Sequence, residues 1–184
     1  MVTKKNKPSI TPIKKAEKSE NDIKVNSIRQ ATARFPIVGI GASAGGLAAF
    51  EALFRAMPAD TDMNMAFLVV QHLAPAHNSV LCELLQRYTP MPVVQVEDGV
   101  VVKPNCVYII PPNRFMAFIN GTLQLLEPLT PRGHPFSIDF LFRSLAQDLR
   151  ERAICIILSG TGSDGTLGLR EIKAEGGMTI VQSM

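Results

Sequence analysis

From Phe35 onward, short apolar runs alternate with segments of helical period, and that alternation leaves few folds open. "FPIVGIGAS" reads as an apolar strand running into glycine, and "GGLAAFEALFRAMP" as a helix stopped by Pro58. "MNMAFLVVQH" is a second buried strand, and "NSVLCELLQRYT" a helix with Asn78 or Ser79 as N-cap and Pro90 beyond its end. Strands apolar along their whole length have no face to give to water. A helix after each strand covers both sides of a parallel sheet, so the expected class is α/β with helices on both faces.

The middle of the chain reads differently. Between Met91 and Glu127, β-branched runs are broken by Asp98-Gly99, Pro104-Asn105, Pro111-Pro112 and Asn120-Gly121. The last pair lies between "RFMAFI" and "TLQLLE" and signals a hairpin, because asparagine and glycine both accept positive φ. An antiparallel insertion or edge is therefore expected between two parallel parts. After "PLTPRGHPF", Ser137 is placed as the N-cap of a helix "IDFLFRSLAQDLRER". "AICIILSG" is then a buried strand, "TGSDG" a glycine-rich turn, "TLGLREIKAEG" a helix ended by glycine and "MTIVQ" a strand. A domain whose last element is a bare strand is expected to be shortened at its C-terminus or to continue past Met184. The chain shows no internal repeat.

With 46% hydrophobic residues in 184, the chain can bury one sizeable core. Its formal charge of +3 owes much to residues 1–34, which are polar, lysine-rich and almost free of large apolar side chains. Such a segment cannot offset its ordering entropy, so residues 1–34 are expected to be a disordered basic tail and 35–184 the folded domain. The excess charge then points to no nucleic-acid partner. The tail lacks the apolar core of a signal peptide, and no run of about 18 apolar residues follows it, so a cytoplasmic chain without membrane insertion is expected. Cys82, Cys106 and Cys155 are odd in number and far apart, which suits reduced thiols in a core. A zinc site would need these with His72, His77 and His134, but "HLAPAH" is broken by Pro75 and lacks helical i, i+4 spacing, so no metal is expected.

The stretch "IVGIGASAGG" admits two chemistries. As Gly39-x-Gly41-x-x-Ala44 it fits a dinucleotide-binding turn; as Gly41-x-Ser43-x-Gly45 it fits a serine held on a sharp strand-to-helix turn. A dinucleotide site needs a carboxylate at the end of the second strand, where this chain has Gln71 and His72. The serine reading gains from the same residues. In a doubly wound sheet the carboxyl ends of the strands converge, and three of them here carry Ser43, His72 and Asp164. A serine hydroxyl needs a neutral imidazole to take its proton, and the imidazole needs a carboxylate on its other nitrogen. Asp139 competes for the carboxylate role, although its place in a helix's first turn is explained by the helix dipole; Asp98 sits in a turn. No histidine follows Asp164, so the chain order differs from that of the α/β-hydrolases.

With these positions fixed, the sequence resembles the catalytic domain of the chemotaxis protein-glutamate methylesterases, the CheB family. The likeness runs from Pro36 to Gln182 and rests on "VGIGASAGGL", "VVQHLAP", "EDG", "VYIIPPN", "HPFSIDFLFRSLA" and "ILSGTGSDGTLGL". It implies a doubly wound, three-layer α/β/α sandwich of mostly parallel strands with an antiparallel hairpin. It implies hydrolysis of glutamyl methyl esters on chemoreceptor helices in chemotaxis signal transduction, with glutamine deamidation at similar sites. The family's serine, histidine and aspartate correspond to Ser43, His72 and Asp164, and it uses no metal or organic cofactor. Ala44 stands where the family often has threonine, and Thr161 where it often has methionine. Family members of two-component systems carry an N-terminal receiver domain; a polar tail in its place fits the subgroup fused to methyltransferase and sensory domains. Arg132 is a candidate contact to an acidic receptor helix. The rival expectation is an esterase-like docking domain without activity.

Overall fold

In the computed structural model, residues 35–42, 46–58, 62–71, 78–128, 136–158 and 163–183 are described, those of 78–80 by backbone alone. The elements follow in the order β1 (Ile37–Ala42), α1 (Gly46–Ala56), β2 (Ala66–Gln71), α2 (Asn78–Gln86), β3 (Val93–Gln95), β4 (Val100–Val101), β5 (Val107–Ile109), β6 (Phe115–Ile119) and β7 (Thr122–Leu126). Then come α3 (Ser137–Leu149), a 3-10 turn (Arg150–Arg152), β8 (Ala153–Ile157), α4 (Thr166–Ala174) and β9 (Met178–Val181). The chain divides into two units, Met1–Gln30 and Ala31–Met184, and all these elements belong to the second. Residues 1–34, expected to be a tail, lie outside the described residues.

Six strands form one parallel sheet in the order β3-β5-β2-β1-β8-β9. The chain winds outward from β1 in one direction through β2 and returns to β8 on the other side of β1, so the topological switch lies between β1 and β8. Apolar residues alternate between the two faces of the central strands, as a doubly covered sheet requires. Val38, Ile40 and Ala42 of β1 and Phe67 and Val69 of β2 pack with Phe50 and Phe54 of α1 and Leu81 and Leu85 of α2. Ile37, Leu68, Val70 and Cys155 face the other way, onto Leu141, Phe142 and Leu145 of α3 and Ile172 of α4. Helices thus lie on both faces, and the three-layer, doubly wound class is the one observed.

The antiparallel insertion is narrower than the sequence suggests. β4, β7 and β6 form a separate three-stranded antiparallel sheet, whereas β3 and β5 join the large sheet in parallel. Strand composition carries no sign of parallel or antiparallel pairing in runs this short, and partners far along the chain decide it. The Asn120-Gly121 hairpin does form: φ is 49° at Asn120 and 82° at Gly121, the backbone of a tight two-residue turn. Met116, Phe118 and Leu123 of the small sheet are buried against the α3 side of the core. Ser144 of α3 ties the two together, its Oγ accepting the Phe118 N–H at 2.9 Å.

Candidate active site

β1 carries glycine at alternate positions, and both glycines sit inside the strand rather than in the turn after it. Their side of the strand faces α3. A Cβ on Gly39 would lie 2.8 Å from Leu145 Cδ1, and one on Gly41 only 2.4 Å from Ile138 Cγ2. Real Cβ contacts are never that short, so the missing side chains let α3 lie flat along β1. The pattern that looked like a phosphate fingerprint is therefore a packing device. It brings Ile138, in the first turn of α3, to the carboxyl end of β1.

The ends of the three central strands are level. Ala42 pairs with Gln71, Gly41 pairs with Ile157, and the Leu158 N–H donates to the Gly41 carbonyl at 2.9 Å. Ser43 follows Ala42 and His72 follows Gln71; both lie outside the described residues, as do Ala44, His77, Arg132, His134 and Thr161. Asp164 is described, in the turn between β8 and α4. Its Oδ2 accepts the Ile138 N–H at 3.0 Å and its Oδ1 the Asp139 N–H at 2.9 Å. The carboxylate therefore sits on the N-terminus of α3, beside the end of β1. Two amide donors and the positive end of the helix dipole stabilise its negative charge.

This replaces the cap expected from the sequence. Ser137 is the first residue of α3, and the N-cap position falls on Phe136, which makes no side-chain cap bond and has φ 81°. A left-handed phenylalanine costs on the order of 1 kcal/mol. The helix start is held by a carboxylate from a distant loop instead of by its own flanking serine. Asp164 likewise does not cap α4; that position is Gly165, at φ 93°, where a Cβ would lie 2.3 Å from Ile157 Cδ1. Only glycine meets both demands, and it lets the turn fold back until Asp164 reaches α3.

Asp139, the competing carboxylate, is 3% exposed, and its Oδ1 accepts the Gly168 N–H of α4 at 2.6 Å. Its side chain fastens α4 to α3, while its backbone N–H holds Asp164. Two carboxylates thus serve one helix N-terminus, one directed at α4 and one placed at the strand ends. Asp98 sits in the turn before β4 and ties it to β7, its Oδ1 accepting the Leu125 N–H at 2.7 Å. The described cysteines are free thiols; burial pushes Cys155 well above the usual thiol range, which suits a core residue.

The comparisons with known proteins agree with this architecture. Residues 38–184 match the family model "CheB methylesterase". The chain is 32% identical over 180 residues to a protein-glutamate methylesterase/protein-glutamine glutaminase of Photorhabdus laumondii, covering 95% of this chain and 48% of that one. It is 37% identical over 147 residues to a protein of the same name, number 3, from Burkholderia orbicola, covering 79% and 43%. It therefore spans less than half the length of these relatives. A crystal structure of the Thermotoga maritima CheB methylesterase catalytic domain superposes with a TM-score of 0.71 at 30% identity, over 79% of this chain and 78% of that one. With the family model matched from the second residue of β1 to the last residue of the chain, this protein belongs to the CheB methylesterase family.

Proposed function

We propose that this chain is the catalytic part of a protein-glutamate methylesterase, a serine hydrolase that converts glutamyl methyl esters on the cytoplasmic helices of chemoreceptors to glutamate and methanol. Family membership supports the reaction class. The observation that carries the residue assignment is the seat of Asp164 on the first amides of α3, beside the end of β1 and level with the end of β2.

In this reading Ser43 Oγ attacks the glutamyl carbonyl while His72 takes its proton. The tetrahedral intermediate collapses, the C–O bond to methoxide breaks, and His72 returns the proton so that methanol leaves. Water, deprotonated by His72, then cleaves the acyl-serine and restores the hydroxyl. Asp164 orients the imidazole and stabilises its cation; a carboxylate has about four acceptor sites, so two amide bonds are compatible with a third from the ring. Amides around Ala44 to Gly46, or from the Thr161 to Ser163 loop, would supply the oxyanion donors, each commonly worth about 3 kcal/mol. Glutamine would follow the same course, with ammonia leaving in place of methanol. Among the described residues no helix is long and apolar enough to cross a membrane.

Methanol release from a methylated chemoreceptor fragment tests the reading, together with labelling by a fluorophosphonate. Ser43→Ala is expected to abolish both without loss of circular-dichroism signal. A variant that keeps more than a few per cent of the rate removes Ser43 from its role, and a folded wild type that neither releases methanol nor takes the label favours a docking domain.

A further inference from the structure

We infer that the outer face of α3 is a docking groove for the helix that carries the ester, seating the turns that lie beyond the reacting glutamyl side chain; the inference rests on the proposed ester cleavage.

α3 is apolar on two sides. Ile138, Leu141, Phe142 and Leu145 belong to the core and are buried. Phe136, at the N-cap, and Phe140, one turn on, are 50% and 36% exposed, whereas the other phenylalanines of the chain are buried or half-buried. A surface helix needs one apolar stripe for its core, and a second at i, i+4 that the core does not use marks a surface that another molecule covers. Phe136 is moreover held at φ 81°, a backbone strain of the kind that collects at functional positions.

Neighbouring elements build walls beside this stripe. The ring of Phe115, from β6, lies 5.1 Å from that of Phe140, and Leu167, from α4, is 45% exposed. With Phe136, Asp139 and Arg143 they line a hollow of about 270 Å³. A second hollow, of about 450 Å³, continues from Phe140 and Arg143 past Ile119 to Gln147. From Phe136 to Gln147 the groove follows α3 for about 16 Å, the length of about three turns of a second helix.

Position and charge choose the occupant. At one end the groove reaches Asp139, whose backbone N–H holds Asp164, so a segment lying in it leads to the carboxylate that the reaction uses. Two turns along, Arg143 is half exposed and gives its Nε to Glu171 at 3.0 Å, which leaves other donors of the guanidinium for a carboxylate from outside. Aromatic anchors followed by a cation fit an amphipathic helix with apolar residues beside the reacting group and an acidic one further along. The proposed substrate, a receptor helix that bears glutamate, meets both demands.

Phe140→Ala separates docking from chemistry, because a small fluorophosphonate reaches the serine without lying in the groove. KM for methanol release from the methylated chemoreceptor fragment is expected to rise at least 10-fold, while the labelling rate stays within twofold and circular dichroism is unchanged. Leu167→Ala, on the wall from α4, is the second variant and is expected to raise KM at least threefold; it decides alone where Phe140→Ala does not fold. A KM within twofold of wild type in the folded variants overturns the inference and leaves the esterase reading standing. So does a loss of labelling that matches the rise in KM, since the residue then shapes the site itself, and so does failure of both variants to fold. A wild-type dimer that Phe140→Ala turns into monomers also overturns it, because a second copy then covers the face. A folded wild type with neither Ser43-dependent release nor labelling overturns the inference and the reading together.

Discussion

On the face of the large sheet that carries α1 and α2, side chains fill the space between sheet and helix. Phe50, Phe54 and Phe67 are buried there, and the rings of Phe54 and Phe67 meet edge to face at 5.9 Å. On the α3 face side chains fill the core as well, but along β1 the space is removed instead. Gly39 and Gly41 give way to Leu145, Phe142 and Ile138, Gly168 gives way to Phe142, and carboxylates fix the helix ends. Bulk packing gains free energy in proportion to the area it buries and tolerates small shifts. Close approach gains little area, yet it sets where the start of α3 lies, and with it Asp164. Along β1, then, the second face adds position to the stability that both faces share.

Substitutions on each face should separate these effects. Phe54→Ala is expected to cost about 3–5 kcal/mol of stability, read from denaturant midpoints, while kcat of the folded protein stays within twofold. A large fall in kcat at unchanged fold would erase the distinction between the faces. Gly41→Ala should cost less stability, about 1–3 kcal/mol from overpacking, but lower kcat roughly 100-fold because α3 must move off β1. Adding Ile138→Ala removes the atoms that a Cβ at Gly41 would strike, and should recover at least 10-fold of that loss. Simple additivity of the two changes would show that the collision is not what disturbs the site.

The smallest effect is expected at the far end of α3, where Asp148 contributes no geometry to the strand ends. Its Oδ2 is buried and has no hydrogen-bond partner among the described residues. Burial raises its pKa, against the lowering effect of the Asn120 backbone N–H and the Arg152 guanidinium. A carboxyl whose folded pKa lies above its unfolded value favours the fold fully only below the unfolded value, about 4, and that contribution is lost as pH rises through the folded pKa. Asp148→Asn should therefore raise the melting temperature at neutral pH and lose its advantage at acid pH. A gain that persists unchanged at acid pH would mean that ionisation of Asp148 is not the cause.

The elements themselves were legible because their signals are local. Helical period in "GGLAAFEALFRAMP", glycine and proline at helix ends and the Asn120-Gly121 turn act within a few residues, and each predicts the element that forms. The relation among the three strand ends was also readable, since β-α-β winding places them at one edge. The start of α3 was not. Ser137 has the right chemistry for a cap, but the donors go to Asp164, 26 and 25 residues further along from Ile138 and Asp139. The middle strands failed for a similar reason, because β5 finds β2 and β3 while β4 finds β7.

The sequence by itself therefore determined the class of fold, the order of its elements and the residue types available at the carboxyl edge, all through short-range periodicity and turn chemistry. Only the tertiary structure decided what the glycines of β1 are for and which aspartate faces α4. It also decided which carboxylate caps α3. Those outcomes depend on the distance between segments remote in sequence, and a difference of one Cβ, invisible to any periodic pattern, is enough to set it.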